Sequence, residues 1–375
     1  MPEIAEVARV VHFLRKHLVS KTIRNVTAVE DPIVLKSDVT AELTGRKILS
    51  VERHGKYFWL ALDSNKCAVM HLGMTGWVHI EGEKTAPEGW YKKMGTGTEW
   101  PPRFWKFHLE TEGTMPVKLA YTNSRRIGQI IVVDGDRESV RREPPLARLG
   151  LDPVADQVSL EWLQAQLSKR RCPVKAFLLD QTVMCGIGNW VADEVLYHAR
   201  IHPEELCCDM ADDISTRLYD SIIAVCALAV NKLGDESQFP EDWLFKHRWN
   251  RGKKGPGVLP NGEALALVTV GGRTSCFAPG RQILTSNPAP KSTKKPSRAK
   301  ARTLLEKAEE EEMKIETEIR NGDSSVEGKA QPRTSLSGRK RAHVKDESGD
   351  ERDCKSPHAR RTRSQTQGKA SRYFT

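Results

Sequence analysis

Two patterns of hydrophobic spacing, one helical and one typical of β-strands, divide the first 290 residues of the chain. Near the start, apolar side chains recur at the spacing of one helix face: Val7, Val10, Val11, Leu14 and Leu18. Pro2 suits a first helical turn, and Glu3 and Glu6 suit the positive end of a helix dipole. We expect a helix that begins almost at the chain start.

From residue 21 to residue 133 the pattern changes to short runs rich in β-formers and broken by Gly, Pro and Asn. The runs are KILSVERHGKYFWLAL, CAVMHLGM, GWVHIE, RFWKFHLE, VKLAYT and QIIVV. Because no helix-length amphipathic segment separates them, they predict antiparallel strands in a two-layer β-sandwich or a barrel.

Helical periodicity returns after Pro144-Pro145, in residues 159–168, 173–181, 190–199 and 212–233. Two β-like runs, ALALVTV and TSCFA, follow and are joined by the turn Gly271–Thr274. The pattern therefore predicts an α+β protein. Its predicted domains are an N-terminal helix and sandwich (1–143), a helical domain with a β-hairpin (144–285) and a tail (286–375).

The tail differs from the rest in composition. Residues 291–375 hold 22 basic and 14 acidic side chains, hence +8 of the net charge of +10, and eleven of V, I, L, M, F, Y and C. Such a segment buries too little apolar surface to fold alone, so we expect a disordered basic tail. Arg339–Arg341 and Arg360–Arg363 fit nuclear-import or DNA-contacting patches, and a solvated linker fits them equally well.

Several classes of protein are disfavoured. The sequence has no run of 18 apolar residues and no signal-peptide pattern, so we expect an intracellular protein without a membrane partner. Its eight cysteines never form C-x2-C, so we expect free thiols and neither a metal site nor a cofactor.

The opening Met-Pro-Glu could carry chemistry. Removal of Met1 would leave Pro2 with a secondary amine, and α-amino groups titrate at roughly 7.7 to 8.0. Such an amine can attack a sugar carbon and collapse to an iminium, with Glu3 as a proton donor. The same residues also suit any helix start.

Two glycine-containing turns are candidates for phosphate contacts. Asn189 follows Cys185-Gly186-Ile187-Gly188 between two predicted helices, where it could cap the second helix and face a phosphate. Arg273 would stand on the tip of the β-hairpin and is suited to bidentate phosphate recognition. A plain helix connection and a solvated turn are the alternatives.

Two further segments, His71–Gly76 and Asn123–Gly128, lie at predicted strand ends beside glycines. They offer Met74, Arg125 and Ile127, side chains that could fill the gap left when a base leaves the DNA stack. Met74 by itself would be interpreted as a core residue.

In combination these motifs resemble the formamidopyrimidine-DNA glycosylase and endonuclease VIII family over residues 2 to about 283. In order along the chain they are MPEIAEV, HGK, HLGMTG, NSRRIG, LLDQTVMCGIGNWVADEVLYHARIHP and VGGRT. The resemblance implies an N-terminal helix with a β-sandwich, a helix-two-turn-helix domain and a finger hairpin, with damaged double-stranded DNA bound between the lobes.

The resemblance also implies roles for single residues. Pro2 would be the nucleophile at C1′, Glu3 the acid and base that aids opening of the sugar, and Lys56 a cation on the DNA phosphate and sugar region, with a less defined catalytic contribution from Glu6. The remaining implied residues contact DNA: Asn189 and Arg273 the flanking phosphates, and Met74, Arg125 and Ile127 the vacated space.

Three departures from the family pattern shape the expectations. The finger lacks paired cysteines, with Ala278–Arg281 where a second pair would lie, so the chain resembles the zincless branch of eukaryotic members. Ala5 replaces a Pro and Ile127 a Phe wedge. A fourth feature, the short segment Gly234–Asp242, leaves little room for the lid that covers 8-oxoguanine in bacterial relatives.

We therefore expect a monomeric, nuclear, bifunctional glycosylase and abasic-site lyase of base excision repair. It would prefer formamidopyrimidines, hydantoins and abasic sites, and excise 8-oxoguanine weakly. The alternatives are a non-catalytic DNA-binding module of the same fold and a monofunctional glycosylase that activates water. The chain end resembles a sliding-clamp-binding peptide through Gln367, Ala370, Tyr373 and Phe374.

Overall fold

A computed structural model describes residues 2–86, 99–248 and 257–285 of the chain. Contacts group residues 1–293 into one unit and residues 294–375 into a second. The predicted tail, its basic patches and the clamp-like peptide lie outside the described residues. All of the described residues belong to the first unit.

The first helix, α1, spans Ile4–Leu18 and buries the apolar stripe seen in the sequence. It begins at Ile4 rather than Pro2, because Glu3 is extended and acts as the N-cap. Glu6 completes a capping box, since its carboxylate accepts a hydrogen bond from the Glu3 backbone N–H at 2.8 Å.

In the described residues of the N-terminal region, eight strands form the predicted two-layer sandwich. They are β1 (Ile23–Ala28), β2 (Ile48–His54), β3 (Tyr57–Leu62), β4 (Lys66–His71), β5 (Trp77–Ile80), β6 (Trp105–Thr111), β7 (Lys118–Thr122) and β8 (Gln129–Asp134). The two antiparallel sheets have the orders β1-β6-β7-β5 and β2-β3-β4-β8. The antiparallel arrangement is confirmed, and the main core lies between the sheets and against α1.

Strand β3 shows why the apolar runs lack clean alternation. Phe58 and Leu60 face the main core, whereas Trp59 and Ala61 pack with Val140 in a second cluster on the outer face of the sheet. A strand buried on both faces reads as a continuous apolar run.

A short helix, α2 (Val39–Leu43), interrupts the strand region, where the sequence pattern predicted none. The Asp38 carboxylate accepts hydrogen bonds from the backbone N–H groups of Thr40 and Ala41. Five residues are too short for helical periodicity to show, and the capping aspartate was the available signal.

The helical region contains four helices around a second large core. They are α3 (Leu160–Ser168), α4 (Val174–Leu179), α5 (Asn189–Ala199) and α6 (Asp212–Asn231). The first, second and fourth are shorter than predicted, by one, three and two residues respectively. The hairpin that follows pairs β9 (Ala266–Val270) with β10 (Arg273–Phe277). Among the described helices, none combines the length and apolar character that a membrane span requires.

Candidate functional site

The start of the chain meets the start of α5. The backbone N–H of Ile4 donates to the carbonyl of Gly186 at 3.1 Å. The Glu3 carboxylate accepts hydrogen bonds from the N–H groups of Trp190 at 3.0 Å and Val191 at 3.1 Å. A carboxylate at a helix N-terminus is stabilised by free N–H groups and by the helix dipole. These bonds place the residue after Pro2 at the junction of the two lobes.

This contact depends on a glycine. The sequence pattern made Asn189 the cap of α5, but Gly188 is the N-cap residue and Asn189 is the first helical residue. The prediction was wrong because the capping oxygens come from Glu3, at the far end of the sequence. A Cβ on Gly188 would lie 2.1 Å from the Glu3 carboxyl carbon, so a larger residue there would have to displace the Glu3 carboxylate.

Glu6 lies beside Glu3 and has unusual proton affinity. Burial, followed by the charge of Glu3, raises the pKa of Glu6 from 4.5 to about 7. The folded protein therefore holds this proton more tightly than the unfolded chain does. The corresponding contribution to stability is complete below about pH 4.5 and is lost as the pH rises through about 7. Glu6 can thus exchange a proton near neutral pH.

Lys56 reaches the same junction from the sandwich. Its Nζ donates to the carbonyl of Ile187 at 2.9 Å. Burial lowers the pKa of Lys56 and the nearby charge of Arg273 acts in the same direction, whereas Glu3 and Glu6 oppose the shift. These electrostatic interactions indicate that Lys56, Glu3, Glu6 and Arg273 form one charged cluster. Pro2 is buried at its edge.

Asn189 and Arg273 come together through the hairpin. The Asn189 side-chain amide donates to the carbonyl of Thr274 at 2.9 Å. Thr274 directly follows Arg273. The buried Asn189 Oδ1 has no hydrogen-bond partner within the described segments. Arg273 is the first residue of β10, not a turn residue as predicted, and its side chain is exposed. Of the predicted phosphate-contacting pair, Arg273 therefore belongs to the charged cluster and Asn189 lies beside it.

Met74, Arg125 and Ile127 lie on two touching loops of the sandwich. A Cβ on Gly73 would lie 2.6 Å from the backbone nitrogen of Gly128, so the loops pack backbone to backbone. Met74 is half-buried and Arg125 is exposed, and Ile127 is 53% exposed. An apolar side chain that is open to solvent suits a wedge residue that packs only when DNA is present.

A connection runs from these loops to the charged cluster. His71 at the end of β4 accepts a hydrogen bond from the Gly73 N–H at 3.1 Å. Its burial, together with the charge of Lys56, lowers the His71 pKa to about 4. His71 is therefore neutral at physiological pH and serves as an acceptor that holds the Met74 loop.

Asn123 is a structural member of the site that sequence reasoning missed. It is fully buried, donates to the carbonyl of Leu72 and to the Tyr121 hydroxyl, and accepts from the Ile127 N–H. It thereby ties the two loops together. An Asn at a strand end before Ser-Arg-Arg looks like a turn residue, so its burial could not be read from the pattern.

One group of possible metal ligands occurs in the described part of the chain. The ligand atoms of His54, Asp152 and Cys185 lie within 4.8 Å of one another. The Asp152 carboxylate, however, pairs with Arg53 at 2.6 Å and accepts from the Gly55 N–H at 2.8 Å. Its oxygens are thus used to connect the lobes, and we assign no metal role to the group.

Models of two known protein domains match this chain. The model of the formamidopyrimidine-DNA glycosylase N-terminal domain matches residues 1–130. The model of the formamidopyrimidine-DNA glycosylase H2TH domain matches residues 149–240. One match falls in each lobe, and neither includes the β-hairpin.

Individual relatives agree. Formamidopyrimidine-DNA glycosylase of Arabidopsis thaliana is 33% identical over 300 residues, covering 78% of this chain and 74% of the relative. The Halalkalibacterium halodurans protein of the same name is 31% identical and covers 74% and 98%. The crystal structure of MutM (Fpg) from Thermus thermophilus superposes with a TM-score of 0.60 at 28% identity, covering 76% of this chain and all of that one. A Lactococcus lactis formamidopyrimidine-DNA glycosylase bound to DNA with an abasic site has the same fold, with a TM-score of 0.61, 24% identity, and coverage of 75% and 99%. On these domain matches and identities, the chain belongs to the formamidopyrimidine-DNA glycosylase family.

Proposed function

We propose that this protein is a bifunctional DNA glycosylase and abasic-site lyase that acts through the amine of Pro2. One observation carries the proposal: Glu3 caps α5 across the junction of the lobes. That contact holds the chain start beside Lys56, Glu6 and Asn189. A catalytic nucleophile must be positioned by its surroundings, and here both lobes hold the residue that follows it.

The chemistry follows from one amine. The Pro2 nitrogen bonds to C1′ as the bond from C1′ to the damaged base breaks, and the departing base takes up the proton that the nitrogen loses. Proton transfer to O4′ then opens the sugar and yields an iminium. The iminium makes the C2′ proton acidic. Its removal breaks the bond between C3′ and the 3′ phosphate, and a second elimination releases the 5′ phosphate. Water then hydrolyses the iminium and frees the amine. Glu3 and Glu6 are the carboxylates available for these proton transfers.

The proposal is tested by borohydride trapping on a duplex with an abasic site. We expect a covalent protein-DNA adduct whose tryptic peptide carries the modification on residue 2. Pro2→Gly should lower the adduct yield at least about tenfold, because it removes the fixed ring that orients the nitrogen. A tetrahydrofuran duplex, which lacks an aldehyde at C1′, is the matched control and should give no adduct.

The same experiment, run also on a duplex that carries a damaged base, separates the two rival functions. A non-catalytic binding module would bind the abasic duplex but give neither adduct nor cleavage, and N-terminal mass measurement would show a retained Met1. A monofunctional glycosylase that activates water would release bases without any adduct, and Pro2→Gly would retain activity. Either result would refute the proposed mechanism.

The connection after α6 supports a substrate preference. The Gly234 N–H donates to the Ala229 carbonyl at 3.0 Å and ends the helix. Residues Glu236–Gln238 then form a 3-10 turn capped by Asp235, and Phe239 is buried. We propose that so compact a connection cannot cover a flat everted purine, so formamidopyrimidines and hydantoins are preferred over 8-oxoguanine.

Lesion ranking is measured by single-turnover excision from duplexes that differ in one base. We expect formamidopyrimidine and hydantoin excision to exceed 8-oxoguanine excision by about tenfold or more, equivalent to ~1.4 kcal/mol of transition-state stabilisation. Abasic duplex cleavage serves as the control for the lyase step. If 8-oxoguanine is the best substrate, the compact connection does not determine preference.

The sequence also supports proposals about the location, the partners, the finger and the oligomeric state of the protein. The basic patches of the tail support a nuclear protein, and Gln367, Ala370, Tyr373 and Phe374 support a contact with a sliding clamp. The absence of paired cysteines in residues 243–285 supports a zincless finger. We also propose that the protein acts as a monomer.

A further inference from the structure

One face of α5 holds the hairpin that carries Arg273. Asn189, Asp193 and Tyr197 are spaced four residues apart and therefore share this face. Asn189 donates to the Thr274 carbonyl, as described above. Asp193 accepts hydrogen bonds from the Ser275 hydroxyl and from the Cys276 N–H at 3.1 Å. The Tyr197 hydroxyl accepts from Arg281 at 2.6 Å.

Asp193 is the centre of this contact. It is fully buried, and its two oxygens also contact the Lys175 ammonium and the Arg248 guanidinium. Two cations and two hairpin donors thus use both oxygens of one carboxylate, which approaches its full acceptor capacity. Lys175 in turn donates to the Asn189 carbonyl at 2.8 Å, so the cluster also fixes the first turn of α5.

The sequence around the hairpin lacks the cysteines that a zinc site would need. Residues 227–285 contain one cysteine, Cys276, whose side chain is buried with Tyr197 and Leu259. Four thiolates that could hold a zinc ion cannot be assembled from this segment. A hairpin of two five-residue strands is marginally stable by itself and needs an anchor.

We propose that Asp193 is a positioning residue that sets Arg273 against the DNA phosphate. The carboxylate fixes residues 275 and 276 of β10, two and three positions beyond Arg273. It acts through the strand and does not itself contact DNA. This inference rests on the proposed function, because Arg273 must bind a phosphate for its position to matter.

The test is a double-mutant cycle on binding to a tetrahydrofuran duplex, which the protein cannot cleave. Arg273→Ala should weaken binding about tenfold and reduce the salt slope by about 1, the signature of one lost phosphate contact. Asp193→Asn should have a similar effect on affinity and slope. The double variant should be about tenfold weaker than wild type, not about a hundredfold, because both changes remove one contact.

Asp193→Asn leaves two buried cations with a neutral partner and could fail to fold. Ser275→Ala is a milder variant that tests the same contact. It removes one hydrogen bond and leaves the charges intact. We expect a smaller loss of affinity that disappears in the Arg273→Ala background. Thermal melting identifies variants that have lost the fold.

The outcomes separate this inference from the proposed function. If Arg273→Ala weakens binding while Asp193→Asn and Ser275→Ala leave the salt slope unchanged, the positioning role is wrong. Additive effects in the cycle would also refute it and indicate a purely structural role. The proposed function itself fails if the wild-type protein binds the tetrahydrofuran duplex no more tightly than an undamaged duplex. It also fails if Arg273→Ala leaves binding to the tetrahydrofuran duplex unchanged.

Discussion

Gly188→Ala is expected to reduce the free energy of unfolding by about 3 kcal/mol and lyase activity by about a hundredfold or more. The backbone of Gly188 is extended, with φ of −121° and ψ of −158°, so alanine is conformationally acceptable there. The expected cost arises from overlap alone. A Cβ would lie 2.1 Å from the Glu3 carboxyl carbon and 2.4 Å from its Oε1. The carboxylate must leave the N-terminus of α5, which displaces the neighbouring Pro2.

Denaturant unfolding and abasic-duplex cleavage measure the two effects. Gly280→Ala is the matched control, because a Cβ there meets open space and no positive φ strains it. Adding Glu3→Ala should remove most of the stability cost of Gly188→Ala, because the overlapping group is gone. A stable, fully active Gly188→Ala variant would show that the Glu3 contact does not position the chain start.

Much of the fold could be predicted from residue patterns because the lobes differ in periodicity. Apolar spacing located α1 and α6, and β-rich runs located every strand of the two sheets except β1 (Ile23–Ala28). The lobe boundary was harder to place, because α1 serves both lobes. Ile4 and Ala5 pack in the helical core, whereas Val7 and the later apolar residues pack in the sandwich. A single amphipathic stripe does not reveal that its two ends face different partners.

The candidate site was only partly predictable for a related physical reason. Motifs identify residue types that suit phosphate or sugar, and the family resemblance supplied their roles. Glu3 and Gly188, however, act as one unit across 185 positions, and Asp193 connects α4, α5 and β10. Such contacts depend on tertiary packing, which the spacing of residues along the sequence does not reveal. Asp193 in particular looked like an ordinary helix residue, since its partners lie in three separate segments.

Lys56→Met is expected to lower kcat/KM for abasic-site cleavage by about a hundredfold or more, with little change in stability. The charges of Glu3, Glu6 and Arg273 all act on the ammonium. In the proposed mechanism it contacts the negative DNA backbone beside the reacting sugar. Its carbonyl partner does not become an unsatisfied group. Gln181 Nε2 also donates to the Ile187 carbonyl, at 2.8 Å, so that oxygen keeps a hydrogen bond after the substitution.

Lys66→Met is the matched control, because it makes the same chemical change at the start of β4. Lys66 pairs with Glu42 at the surface, where ion pairs contribute little to stability. It should therefore retain full activity. Binding to the tetrahydrofuran duplex then divides the Lys56→Met effect into affinity and chemistry. A loss of affinity that equals the loss of kcat/KM would make Lys56 a binding group alone. A larger loss of kcat/KM would mean that its charge acts in the transition state, where the negative charge of the departing phosphate develops next to a partly buried cation.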